Sequence, residues 1–259
     1  MRMMKKVLGT VTVLALSVSL LAGCGSTAAS PVSSAASTAA ESTTSSIASE
    51  TTSAAADENE ATAAQLLNDL TGSYQELWPV ILADEYKQTW LDDCTALVGE
   101  DNAEAAFEKL SSMVTGDVYG EDAVKAYANG GGAYFCGFTN SLATLTFDGE
   151  TSTISGTDKD GNVLFSHTYH YIGMEPVRGL YEFESDDADS GEFTYFFLAP
   201  DTSAETYHIE FRYGSDVEAL SQYDAGEYAY WLASGISTDC DQTMIDNCIE
   251  LFCTENLAG

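Results

Sequence analysis

Basic residues are scarce in this chain: nine Lys and Arg face 41 Asp and Glu in 259 residues. Three of the nine, Arg2, Lys5 and Lys6, sit at the very start, whereas every acidic residue lies after Cys24. From Cys24 onward the formal charge is therefore about −35. A surface of that sign repels nucleic acid and anionic lipid, and nucleic acid is excluded as a partner. Catalytic signatures are missing too. The chain has no G-x-S-x-G elbow, P-loop, H-E-x-x-H pair or dinucleotide glycine motif, and Gly130-Gly131-Gly132 reads as a turn. Carboxylates are so abundant that a chance pair says nothing about glycoside chemistry. The reading is a protein that is not an enzyme. There is no C-x-x-C pair, which argues against a thiolate zinc site.

What the first residues do contain is a basic start followed by an uncharged apolar run, Val7 to Leu21, and then Leu21-Ala22-Gly23-Cys24. This is the layout of an export signal, too short and too early to be a good permanent span. Its end resembles the lipobox of bacterial lipoproteins, in which the cysteine is acylated before cleavage. That resemblance implies a signal peptide over 1–23, lipid attachment at Cys24, and residence on the extracytoplasmic face of the cell membrane. The next stretch, 24–62, is dominated by Ser, Thr and Ala, with hardly any large apolar residue. Such a segment cannot offset the entropy of ordering and reads as a flexible tether. Residues 63–259 are rich in Tyr, Phe and β-branched residues, enough to build the core of one domain. Five cysteines remain there, Cys94, Cys136, Cys240, Cys248 and Cys253. Export permits disulfides, and either two bridges with one thiol or none at all fits this count.

Periodicity divides the domain. Ala63 to Leu70 reads as a short helix. Ser73 and Glu76 have capping-box spacing for a helix running on toward residue 98, with Pro79 as a kink. Asn102 to Met113 is amphipathic. From about Gly130 the period becomes two. Ala133–Phe138, Ser141–Phe147, Thr151–Thr157, Val163–Ile172, Gly179–Ser185, Phe193–Leu198 and Tyr207–Tyr213 all read as strands, separated by turns such as Asp148-Gly149. Asp216 to Tyr223 reads as helix, and Thr238 or Asp239 as the cap of a closing helix over about 241–253. The expected class is mainly β with flanking helices, an antiparallel meander over about 130–213 closed into a barrel.

Histidine is the other rarity, with only His167, His170 and His208. Alternation puts His167 with Phe165, Tyr169 and Tyr171, and His170 on the opposite face, so the two cannot chelate one ion from a regular strand. On the last strand His208 and Glu210 share a face, a partial set for Zn²⁺, which takes three or four such ligands. Arg212 follows on that face and would compete for Glu210.

The stretch FTYFFLAPDTSAETYHIEFRYGSD, Phe193 to Asp216, is similar to the zinc-binding strand pair of the ZinT family. LTGSYQELWPV, GLYEFES and the segment Trp231 to Phe252 resemble that family's first helix, middle strand and closing segment. The resemblance implies a lipocalin-like (calycin) barrel with added helices that binds zinc outside the cytoplasm and serves zinc acquisition. It also implies a three-histidine site, with one histidine before an Ala-Pro step and a His-x-His pair on the next strand. Against Ala199-Pro200 these positions fall on Phe196, Thr206 and His208, and only His208 keeps its imidazole. Glu210 and His170 are the other candidate ligands. The implied zinc site is degenerate and weak, and the alternative is a barrel module that takes a small ligand or a surface partner without metal.

Overall fold

The computed structural model describes residues 59–199 and 208–258. The leader, Cys24, most of the tether, Pro200, Glu205 and Thr206 lie outside the described residues. Eight strands close into one antiparallel barrel in chain order: β1 (Gly72–Glu76), β2 (Thr144–Asp148), β3 (Thr153–Thr157), β4 (Val163–Met174), β5 (Tyr181–Ser185), β6 (Tyr195–Leu198), β7 (His208–Gly214) and β8 (Ala233–Ser237). The last seam pairs β8 with β1 through Tyr74–Ser237, Gln75–Ile236 and Glu76–Gly235. This is the up-and-down topology of lipocalin-like barrels.

The alternation seen in the sequence builds the wall. Leu145 and Phe147, Ile154, Phe165 and Tyr169, Phe183, Phe196, and Ile209, Phe211 and Tyr213 are all buried in one core. Aromatic side chains fill that interior. Turn chemistry sets the hairpins. Asp148 Oδ1 accepts from the backbone N–H groups of Glu150 and Thr151, and the Asp158 carboxylate accepts from those of Asp160 and Asn162. Those bonds hold the exposed Asp158 carboxyl below its ordinary pKa, the Asn162 side chain contributing most.

Helices surround the barrel. Residues 59–69 form α1, whose Ala63, Leu66 and Leu67 join the barrel core. It lies so close to the β2–β3 hairpin that a Cβ on Gly149 would sit 2.4 Å from Asn68 Cα. Between β1 and β2 the chain inserts α2 (Leu77–Ile81), α3 (Lys87–Val98), α4 (Glu100–Val114) and α5 (Glu121–Ala128). A one-turn α6 (Val217–Leu220) follows β7, and α7 (Gln242–Leu257) closes the described chain. Helices α2, α3, α4 and α7 share a second core that includes Trp78, Trp90, Leu110 and Ile249, and Ile236 of β8 belongs to it. There the Trp90 indole N–H donates to the carbonyl of Ile81 at 2.7 Å.

The structure corrects several boundaries. Ser73 caps no helix. It lies in β1 opposite Thr146, their hydroxyls 2.9 Å apart, and Glu76 is the last residue of that strand. The helix starts at Leu77, which places Pro79 in its first turn, where a missing N–H costs nothing. Ala133–Phe138 is no strand. Only its Phe135 makes isolated bridges, to Thr115 and Trp231. The closing helix is capped by Asp241, whose Oδ1 accepts from Met244 N, not by Thr238 or Asp239. The barrel spans 72–237 rather than 130–213 because β1 and β8 lie outside the alternating block.

Candidate functional site

The residues singled out by the resemblance fall on both sides of the barrel wall. Phe196 is wholly buried inside it, with ring centroids 5.4 Å from Tyr169 and Tyr213 and 5.9 Å from Phe165. On β7 the inward residues are Ile209, Phe211 and Tyr213. His208 and Glu210 alternate with them, so both half-buried side chains lie on the outer face, two residues apart as the alternation predicts. Thr206 is outside the described residues.

His170 is also on an outer face, but not near His208. It pairs with Glu184, Glu184 with Tyr195, and Tyr195 with Gly214. Its row therefore crosses β7 at Gly214, six residues beyond His208. Three strand spacings and that offset separate the two imidazoles by on the order of 20 Å along the wall. His170 instead sets Nδ1 2.7 Å from Asp186 Oδ1, and His167, on the inward side, sets Nδ1 2.7 Å from Asp187 Oδ2. Two adjacent aspartates of the β5–β6 loop thus hold the two faces of β4.

Arg212 does not take up Glu210 in the way its spacing suggested. It is fully buried on the outer face of β7, under the segment that follows α6. Its guanidinium donates to the backbone carbonyls of Leu220, Gln222 and Tyr228 and lies 4.3 Å from the Tyr223 ring centroid. Burial pulls its pKa below the ordinary arginine value. Arg178 packs 4.6 Å from the same tyrosine ring. Tyr223 is pushed up to about 12, by burial first and by Glu175 next, with both guanidiniums opposing.

The residues therefore do not fit the three-imidazole zinc set. One matched position is a phenyl ring in an aromatic core, and the one retained imidazole faces the other way. Among the described residues no three His, Cys, Asp or Glu side chains converge as a metal-holding group.

Two hollows were not read from the sequence. One, of about 330 Å³, is mainly apolar and is lined by Glu76, Trp78, Leu82, Val114, Phe135 and Cys136, among others. Glu76 Oε1 accepts from Phe138 N at 2.6 Å at its edge, and burial pushes the Cys136 thiol up to about 12, with Glu210 adding to it. The other, of about 480 Å³, is acidic, with Tyr119, Glu121, Asp122 and Glu227. Both are assembled from distant segments, so no local motif signals them.

No protein-family model matches the chain, and no curated protein matches it. Among solved structures it is similar to the Zn(II)-bound ZinT-like domain of Streptococcus pneumoniae AdcA, at 16% identity and a TM-score of 0.45, covering 71% of this chain and 89% of that one. It is also similar to Zn(II)-bound AdcA of the same organism, at 14% identity and a TM-score of 0.43, covering 72% of this chain. The chain spans 35% of that longer protein.

Proposed function

We propose that this protein is a lipid-anchored, extracytoplasmic binding module, a ZinT-like barrel whose metal site has decayed and which engages a ligand or surface partner without zinc. Phe196 carries the reading. At the position where the resemblance calls for the first imidazole, the chain places a ring that is part of the packed barrel interior. A metal ligand there would have to displace aromatic core, not fill a cavity. The apolar hollow beside Trp78 and Phe135 is the better receptacle for a ligand, since such pockets pair an apolar lining with a few polar groups. The basic start, apolar run and Leu-Ala-Gly-Cys box support export and anchoring through Cys24. Binding, not catalysis, is the activity this reading assigns.

A second reading, zinc binding for acquisition, rests on His208 and Glu210 sharing the outer face of β7. Metal analysis of the purified protein with zinc calorimetry separates the two. The expected result is little bound zinc and a dissociation constant no tighter than about 1 µM, with His208→Ala removing whatever heat there is. Nanomolar binding lost on His208→Ala would establish the second reading, and nanomolar binding that survives it would place a site elsewhere on the chain.

A further inference from the structure

We propose that Cys94 and Cys253 form a disulfide that ties the last helix to the helical layer around the barrel. Their sulfurs lie 3.9 Å apart, one on α3 and one on α7, and both residues are wholly buried. A disulfide holds its sulfurs about 2 Å apart, so forming the bond draws these two sulfurs together by about 2 Å. The surroundings suit a fixed cross-link. Phe252, the neighbour of Cys253, packs edge-on against Trp78 at 4.7 Å and Trp90 at 5.9 Å. Those contacts hold α7 against both α2, through Trp78, and α3, through Trp90.

The bond would link residues 159 apart in sequence. Closing so long a loop removes much freedom from the unfolded chain, which is where a disulfide exerts most of its effect in the chain-entropy account. It would also fasten α7 to α3.

The chemistry is thiol–disulfide exchange with an oxidant that is itself a disulfide. The thiolate of one cysteine attacks a sulfur of the oxidant. A mixed disulfide forms and one oxidant sulfur leaves as thiolate. The second cysteine thiolate then attacks the protein sulfur of that mixed disulfide, forming the Cys94–Cys253 bond and expelling the other oxidant sulfur. Two protein thiols are oxidised by two electrons, the oxidant is reduced to two thiols, and the two protons pass to it. Timing follows from burial. Desolvation raises the pKa of both thiols in the folded protein, so neither is an able nucleophile once α7 has docked. Exchange belongs to the folding chain, before the helices close over the pair.

The test is to unfold the reduced protein and refold it in mixed oxidised and reduced glutathione. Acid quenching, alkylation and peptide mass spectrometry then identify the linked cysteines. The expected product joins Cys94 to Cys253 and leaves Cys136, Cys240 and Cys248 alkylated. Reductant should lower its thermal midpoint by several degrees and leave the midpoints of Cys94→Ala and Cys253→Ala unchanged. Each variant is compared with itself, so a packing defect from the substitution does not obscure the result. Recovery of both cysteines as free thiols, a bond involving Cys240 or Cys248 instead, or a Cys94–Cys253 bond that lowers the midpoint would each overturn the proposal.

Discussion

At the residue scale the arginine on β7 does more than its neighbours on either side. Arg212 and Glu175 are the two charged side chains buried almost completely among the described residues, and the N–H groups of Arg212 reach three backbone carbonyls, of Leu220 at the end of α6 and of Gln222 and Tyr228 beyond it. They lie at a helix end and in the irregular stretch that follows it, so one side chain supplies hydrogen bonds that secondary structure does not. Arg212→Met keeps the bulk and strands the carbonyls. It is expected to cost about 2–4 kcal/mol, read from denaturant midpoints. Arg212→Lys should recover only part, because an ammonium lacks the planar fork that spans three acceptors. A loss below about 0.5 kcal/mol in the methionine variant would mean that water replaces the guanidinium.

At the scale of elements, β2 to β5 and β7 were legible because large apolar and polar residues alternate along them, whereas β6, Tyr195–Leu198, is a short apolar run. The missed elements lack that signal for identifiable reasons. Gly72–Glu76 carries a capping-box spacing, but its strand state is decided by partners at Thr146 and Ile236, far along the chain. Ala233–Ser237 has one large apolar residue. It is buried on both faces, with Gly235 so close to Ile209 that a Cβ would meet that side chain at 3.1 Å. Small residues there record tight approach, which reads in sequence as loop. The candidate site was legible to the same degree. Alternation set His208 with Glu210 and His170 opposite His167, but the partners of Arg212 come from 220–228 and no spacing rule points to them. Close approach also yields a test at Gly149. Gly149→Ala must push backbone of α1 aside and should destabilise the protein by about 1–3 kcal/mol. It should also speed proteolytic cleavage within 59–70. An unchanged cleavage pattern would show that α1 does not depend on this hairpin.

For the whole molecule, burial of thiols sets an alkaline limit. Cys136 and Cys248 are both pushed up to about 12 from an ordinary value of 9.0, chiefly by burial. Above that ordinary value the unfolded chain releases their protons while the folded chain keeps them. Stability from these groups is thus complete below about pH 9 and is lost as pH rises from there toward 12, at a slope of up to about 1.4 kcal/mol per pH unit for each group. Unfolding midpoints should fall from pH 9 to pH 11, and the fall should flatten in the Cys136→Ala, Cys248→Ala double variant. An equal fall in that variant would assign the limit to tyrosines. Anchoring is tested on the same scale. Cys24→Ala should release the protein from membranes or leave an uncleaved precursor, by fractionation and immunoblot. Normal processing and membrane retention would sink the lipoprotein reading.

The seam between the first and last strands has a consequence for recognition. Because β8 pairs with β1, each of the eight strands has a neighbour on both sides. Among the described residues no strand is a free edge, so strand addition by a peptide or edge-to-edge association of copies has only the overhangs of β4 to start from, where Val163–Ser166 have no β5 partner and His170–Met174 no β3 partner. Elsewhere on the wall, recognition must run through side chains and the hollows between them.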